Sequence, residues 1–403
     1  MSGCNLHVSH SWGGGIGRWV DDFVHEDVHS RNLVLRSHGT AGACGLELRL
    51  TEGASGSELG RWVLERPIAE IADRHSEYRR ILDSIVSGQR VTHVYVSALI
   101  GHALDALELG VPTTIVHHDY HPYCAALFSH FSRVCTDCSR TRLAACLKSN
   151  PLSAPSRRNG PDHWLAIRER WLDLVTMDEI THVVPSASVG AQFAALEEAM
   201  EGVRFHVIPH GQRPAEDCFG GAEDGRRLRL VLLGRLSYEK GLADFHAIAT
   251  DLLAIADVAL VGAGPPGALF ATLPGVELVR RYKSGELTRH LRRLRPDLAL
   301  SLSIVPETFS YTLAEAWAHR IPVAARAVGS LSDRIDHGHN GFHLGGSAQA
   351  ILAGLRELDA DRGRIRSAQR ALPPVRRDEV AEMVDRYYAL RDPVTPNHAG
   401  PAR

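Results

Sequence analysis

Two parallel β-sheets, each with helices on both faces, form the α/β architecture predicted for this 403-residue chain. Three observations predict it. Short apolar runs alternate with stretches of helical composition; GQRPAEDCFGGAEDGRR, Gly211 to Arg227, is a polar, glycine-rich break between two strong apolar runs; and the length allows two separate cores. In the first half, strands are expected at Leu6 to Ser11, Leu33 to Ser37, Leu46 to Leu50, His93 to Val96, Thr113 to His117, His182 to Pro185 and Phe205 to Ile208. In the second half they are expected at Leu228 to Leu233, Val258 to Val261, Val276 to Val279, Leu298 to Leu302 and Val323 to Ala325. The break is read as a linker (211–227) between domains at 1–210 and 228–375. Ser139 to Asp162, with Pro151, Pro155, Asn159, Gly160 and Pro161, is expected to be an irregular excursion. Asp378 to Arg391 reads as a helix, within a segment 376–391, and 392–403 as a disordered tail.

Composition narrows the class. Hydrophobic content of 44% and charged content of 23% are those of an ordinary globular protein. A net charge of -2 leaves no excess of cations for general nucleic-acid binding. The opening MSGCNLHVSHSW lacks the basic and apolar regions of a signal peptide, and no apolar run approaches about 18 residues. A cytoplasmic location is expected, with peripheral contact at the inner face of a membrane left open. Seven cysteines in such a chain point to free thiols or a metal site before disulfides. Cys124, Cys135, Cys138 and Cys146, spaced C-x10-C-x2-C-x7-C, fit either four thiolates around a structural zinc ion or buried free thiols.

The most informative stretch is SIVPETFSYTLAEAWAHRIPVAA. Pro306 ends a buried strand, Glu307 falls in the turn before a helix, and Glu315 lies more than one turn inside it. Between the two carboxylates, at about Phe309, Ser310, Tyr311 and Thr312, the free N–H groups of the helix N-terminus form an anion site. A phosphate centre with hydroxyls on both sides suits that layout, and nucleotide sugars have that shape. In LRLVLLGRLSYEKGLADF, a strand leads into a loop with Arg235 and Lys240, a planar fork and a mobile point charge suited to a diphosphate. In DVALVGAGP the strand ends in Gly262 and Gly264, where backbone can approach a ligand closely.

GRLSYEKG, VGAG and PETFSYTLAEA, in that order and spacing, resemble the C-terminal half of retaining GT-B glycosyltransferases of the large bacterial GT4 group, the glycosyl transferases group 1. NLHVSHSWGGGIGRWV resembles the first strand, glycine loop and helix of that family; TTIVHHDYHPYC resembles its histidine-bearing strand end; RFHVIPHG resembles the close of its first domain, with His210 in place of an asparagine. The resemblance implies the GT-B fold, two Rossmann-like domains facing across a cleft, with acceptor recognition in the first domain and nucleotide-sugar binding in the second. It also implies a last helix that returns to the first domain.

The resemblance assigns Glu315 to the ribose hydroxyls, Glu307 to the transferred sugar and His118 to the donor sugar near the reacting carbon. A strand-end histidine can also simply cap a turn, and Asp119 is a second candidate without a firm role. Gly13, Gly14 and Gly15 do not make a dinucleotide fingerprint, because Arg18 stands where its third glycine would be. Their amides are expected to face the donor phosphate or the acceptor, with Arg18 assisting if the acceptor is anionic. Arg235 and Lys240 would neutralise the diphosphate leaving group, so no cofactor is expected to be required. The partners implied are a nucleoside-diphosphate-sugar donor and a glycan or lipid-linked acceptor, the base and sugar being read around Arg280 to Glu286 and Pro306 to Tyr311. Two rivals stand beside this reading: a GT-B sugar-nucleotide epimerase, and a non-catalytic glycan-binding subunit of a polysaccharide assembly complex.

Overall fold

The computed structural model describes residues 3–39, 45–283, 285–374 and 379–391. The expected tail, 392–403, lies outside the described residues, as does Asp378 of the expected last helix. One sheet contains β1 (Cys4–His10), β2 (Arg31–His38), β3 (Glu47–Glu52), β4 (Glu58–Val63), β5 (His93–Val96), β6 (Thr113–Val116), β7 (Ile180–Val184) and β8 (Phe205–Val207), in the spatial order β8-β7-β6-β5-β1-β2-β3-β4. Its strands pair in parallel except for β3 and β4, an antiparallel hairpin added beyond β2. A second sheet, entirely parallel, contains β9 (Leu228–Leu233), β10 (Ala256–Val261), β11 (Val276–Val279), β12 (Leu298–Ser301), β13 (Val323–Arg326) and β14 (Gly341–Leu344), in the order β11-β10-β9-β12-β13-β14.

Helices cover both faces of each sheet, so the central strands are buried on both sides and read as continuous apolar runs. Leu230, Leu232, Leu260 and Leu300 face one apolar cluster with Phe245 and Leu252, while Val231, Val261, Ala299 and Val323 face another with Leu291 and Leu313. The first sheet is likewise sandwiched between two apolar clusters.

Strand order fixes where a ligand can sit. The chain leaves β9 outward through β10 and β11, then crosses back to β12; in the first sheet the same reversal falls between β1 and β5. Loops at the carboxyl ends of such a pair diverge and leave a crevice, the usual binding place in open α/β sheets.

The helix Glu379–Arg391 packs on the first sheet, not the second. Val380, Met383, Val384 and Tyr387 bury against Trp19, Phe23 and Tyr95, each such burial contributing about 1.5–3 kcal/mol relative to exposure. Tyr388 donates its hydroxyl to Asp27 at 2.7 Å, and Arg391 donates to Asn5 at 3.0 Å. Chain 211–227 is not free linker along its whole length. A Cβ on Gly211 would meet the Glu379 carbonyl at 2.4 Å, and Cys218 and Ala222 are buried in the second unit's clusters. The cause is Asp297, fully buried, whose carboxylate is satisfied by the N–H groups of Ala222 and Arg229, each at 2.9 Å.

The excursion expected at Ser139 to Asp162 is more regular than its prolines imply. It holds the helix Arg140–Ser149, a short turn at Pro151–Ser156 and the start of the helix Pro161–Val175. Pro161 occupies the first helical turn, where a missing N–H costs nothing.

Candidate active site

At the reversal of the second sheet, β9 ends in Gly234, whose φ of 84° turns the chain into the loop with Arg235 and Lys240. Gly241, at φ 83°, opens the next helix, and a Cβ there would strike the Leu302 carbonyl at 2.2 Å. That contact holds the cationic loop against the end of β12. Beyond β12, Glu307 bridges to Gly329, and the Ser330 N–H donates to the Glu307 carbonyl at 2.7 Å. Ser310, at φ 62°, then starts the helix Tyr311–Ala318. Lys240 Nζ donates to Glu307 Oε1. Asp244 pairs with Arg326 at 2.8 Å and does not neutralise the loop. Arg235 is exposed and has no ion pair among the described residues.

The opposite wall comes from the first sheet. Gly13 and Gly14 have φ of 75° and 69° and open space where a Cβ would stand, and a Cβ on Gly15 would come within 3.3 Å of Tyr311. The helix Gly14–Glu26 therefore approaches the helix Tyr311–Ala318 closely. Arg18 Nη1 donates to Glu315 Oε1 at 2.5 Å, and its guanidinium lies 4.4 Å above the Tyr311 ring. Burial raises the Glu315 carboxyl, an effect that Arg18 opposes. The carboxylate expected to be open for ribose is thus held by a cation from the other sheet.

His118 follows β6 and completes the centre. Its carbonyl accepts the Thr308 hydroxyl at 2.7 Å, and Ser186 donates to the Thr308 carbonyl at 2.9 Å, two direct contacts between the units. His118 Nδ1 and His210 Nε2 are 3.2 Å apart, so one of them must donate. Burial lowers both imidazoles, His118 to about 3, and leaves them neutral at pH 7. His118 Nε2 is buried and has no hydrogen-bond partner among the described residues. Asp119 Oδ1 accepts the His121 N–H at 2.9 Å, and burial pushes its carboxyl up to about 7.

Two adjoining cavities result. The larger, about 970 Å³, has among its lining residues Gly13, Gly14, Arg18, Asp21, Asp22, Arg213, Arg235, Gly262, Gly264, Arg280, Arg281, Tyr282 and Glu315. The smaller, about 480 Å³, is lined by Trp12, the glycine loop, His118, Asp119, His210, Arg235, Lys240, Glu307 and Phe309 to Thr312. Both fall in the usual range for ligand pockets, roughly 300–1,000 Å³. The predicted site residues are therefore brought together, but the Phe309 side chain is buried against His210 and Arg334, so only its backbone is available to a ligand. Sequence reasoning missed Trp12 and reached Tyr282 only as part of the segment Arg280 to Glu286. A Cβ on Gly262 would come within 2.8 Å of the Tyr282 ring, a packing no local pattern encodes; Trp12 had a signal, an aromatic between a strand end and a glycine loop.

The cysteines do not complete the zinc reading. Among the described residues no group of three or more His, Cys, Asp or Glu is placed to hold a metal ion. Cys124, Cys135, Cys138 and Cys146 are free thiols, and three of them accept from nitrogen donors: Cys138 from Arg168 at 3.2 Å, Cys146 from Asn150 at 3.2 Å and Cys135 from Arg142 at 3.8 Å. Spacing alone permitted a metal, but among the described residues the folded positions of the thiols do not supply the convergent ligand set that a structural zinc needs.

Comparison with known proteins agrees with this geometry. Residues 227–361 match the family described as Glycosyl transferases group 1. No curated protein matches the chain. Among solved structures, the chain is similar to a sucrose-phosphate synthase from Thermosynechococcus elongatus, with 12% identity and a TM-score of 0.63 over 96% of this chain and 99% of that one. It is similar to HepE of Anabaena in complex with UDP-glucose, with 16% identity and a TM-score of 0.58 over 96% and 99%. It is also similar to the catalytic domain of starch synthase IV from Arabidopsis thaliana bound to ADP and acarbose, with 14% identity and a TM-score of 0.57 over 96% and 99%. The fold is therefore GT-B, and the second unit carries a glycosyl transferases group 1 region. Among the described residues no helix is long and apolar enough to cross a membrane.

Proposed function

We propose that the chain is a retaining glycosyltransferase that moves a sugar from a nucleoside diphosphate to an acceptor hydroxyl. The observation that carries this reading is the convergence of Arg235, Lys240, the N-terminus of the helix Tyr311–Ala318 and Glu307 at the reversal of the second sheet, facing His118 across the cleft. Charge grows on the diphosphate as the sugar bond breaks, and Arg235, Lys240 and the helix amides line the place where that charge appears. Their attraction is therefore greater in the transition state than in the ground state. Glu307, held by Lys240, accepts from the sugar hydroxyls, and Glu315 accepts from the ribose once Arg18 yields. His118, neutral and in the wall of the smaller cavity, orients the sugar at the reacting carbon. The departing phosphate oxygen takes the acceptor's proton on the same face, which retains configuration without a protein nucleophile. The two cations supply the charge this step needs, so the reading requires no divalent metal.

In this reading residues 1–210 form the acceptor side, 228–375 the donor side and 376–391 the returning segment. The enzyme belongs to the GT4 type, works in the cytoplasm or at the inner face of a membrane, and serves polysaccharide, glycolipid or glycoconjugate synthesis. The solved complexes of HepE with UDP-glucose and of starch synthase IV with ADP support a nucleotide-sugar ligand. A panel of UDP, GDP and dTDP, free and as sugar conjugates, tests the reading by thermal shift, since a ligand that binds the folded state raises Tm by mass action. At least one nucleotide is expected to shift Tm, and its sugar conjugate to yield free nucleoside diphosphate with an acceptor; no shift with any member would reject the reading.

A further inference from the structure

The smaller cavity extends past the donor groups to the reversal point of the first sheet. There β1 and β5 part, and Trp12 and Ile100 follow their carboxyl ends. Trp12 is the one large aromatic of this wall that is exposed, at 38%. It is nonetheless fixed. Its indole N–H donates to the Gly39 carbonyl at 3.1 Å, its backbone N–H donates to His10 Nδ1 at 3.3 Å, and its ring stacks on the buried His10 with centroids 5.0 Å apart and planes at 27°. With one face on His10 and its polar edge tied back, the ring offers its remaining surface to the cavity. An immobilised indole costs little entropy when a ligand stacks on it, and the negative face of the ring attracts weakly positive C–H groups.

Asp119 lines the same cavity. Its Oδ1 accepts from the His121 backbone, while among the described residues Oδ2 has no hydrogen-bond partner. We propose that Trp12 and Asp119 seat the acceptor, and that the acceptor is a neutral pyranose with one C–H-rich face, which stacks on the Trp12 indole while one of its hydroxyls donates to Asp119. The inference rests on the glycosyltransferase reading and narrows it to an acceptor class. Charge supports the choice: in the donor reading Arg235 and Lys240 attend the diphosphate and Glu307 the transferred sugar, which leaves Asp119 as the charged side chain this cavity offers an acceptor. An anionic headgroup seated on Trp12 would face a carboxylate, not a cation. Burial raises the Asp119 carboxyl to about 7, so near neutral pH it gains from a hydroxyl donor.

Saturation-transfer NMR on the full chain, with saturating UDP, GDP or dTDP as the thermal-shift panel dictates, tests this. The probes are the methyl α- and β-pyranosides of glucose, galactose and mannose, with glucose 6-phosphate and inositol 1-phosphate as anionic comparisons. At least one neutral glycoside is expected to receive saturation, strongest on the ring protons of a single face. Trp12→Ala should abolish that transfer, Trp12→Phe should restore part of it, and Asp119→Asn should weaken binding about tenfold, as loss of a hydrogen bond to a charged group does. Saturation confined to the anionic probes, none with any probe, or a signal unchanged in both the Trp12→Ala and Asp119→Asn proteins would overturn the proposal. If Trp12→Ala does not fold, as judged by Tm, the Trp12→Phe and Asp119→Asn results decide it. The nucleotide thermal shift of the unsubstituted chain separates the two levels: a shift without glycoside contact rejects only this inference, whereas no shift rejects the donor reading beneath it.

Discussion

The carboxyl ends of β9 and β12 and those of β1 and β5 meet across one cleft and furnish it with different chemistry. The second sheet supplies formal charge: Arg235, Lys240, Glu307 and Glu315, with a helix N-terminus between the carboxylates. The first sheet supplies aromatic and imidazole groups, Trp12, His118 and His210, bare backbone at Gly13 and Gly14 and one carboxyl group in the smaller cavity, Asp119, with Arg18 as its reach across the gap. In the transfer proposed above, the developing charge belongs to the leaving diphosphate, so the charged wall need only fit a common group. The first wall must fit one particular acceptor. The family match has the same boundary, since it covers residues 227–361 and stops short of the first sheet.

The sharpest way to break this comparison is to remove charge from the second wall. Arg235→Ala or Lys240→Ala should lower turnover by about two to three orders of magnitude, the loss seen when one preorganised donor to developing charge is removed. Lys240 is the more revealing of the two because it also holds Glu307, so its loss should weaken sugar positioning as well. Near-normal turnover in both variants, with unchanged Tm, would mean that the charged wall does not carry the chemistry.

A smaller effect should separate the two glutamates. Glu315→Gln is expected to weaken both the free nucleoside diphosphate and the intact donor by about tenfold, the cost of one lost hydrogen bond to a charged group. Glu307→Gln should weaken chiefly the intact donor. Calorimetry with the two ligands reads this directly, and equal loss of free-nucleotide affinity in both variants would refute the division of roles.

The two halves also differed in how much could be read beforehand. The second sheet was nearly all legible, because a parallel strand buried on both faces is a continuous apolar run, and each run here ends in glycine, proline or charge. Its last strand, Gly341–Leu344, was missed: four residues, GFHL, pair only with β13 and carry no period. In the first sheet the hairpin strand Glu58–Val63 escaped, since at the sheet edge its face is mostly solvated and ELGRWV alternates too weakly. The site residues were legible where one loop holds them. Contacts between distant parts of the chain were not, and the pair of Arg18 with Glu315, 297 positions apart, is of that kind. The zinc alternative at the cysteines shows the converse, a spacing that permits a site which the folded positions of the described residues do not complete.

Arg18 offers the finest test, because it is where the two walls exchange charge. Without ligand its guanidinium occupies Glu315 at 2.5 Å, so a ribose can use that carboxylate only by displacing it. The pair is partly solvated, with side chains 34% and 17% exposed, and such pairs contribute about 0.5–1 kcal/mol. Arg18→Ala should therefore raise the affinity for free nucleoside diphosphate by about two- to fivefold, since the competing ion pair is lost, while Tm without ligand falls slightly because Glu315 stays buried without its cation. Calorimetry and thermal unfolding of this single variant measure both effects. A fall in affinity would show instead that Arg18 transfers to the diphosphate when Glu315 turns to the ribose. The first wall would then share in neutralising the leaving group, and the division between a wall that neutralises the diphosphate and a wall that seats the acceptor would no longer hold.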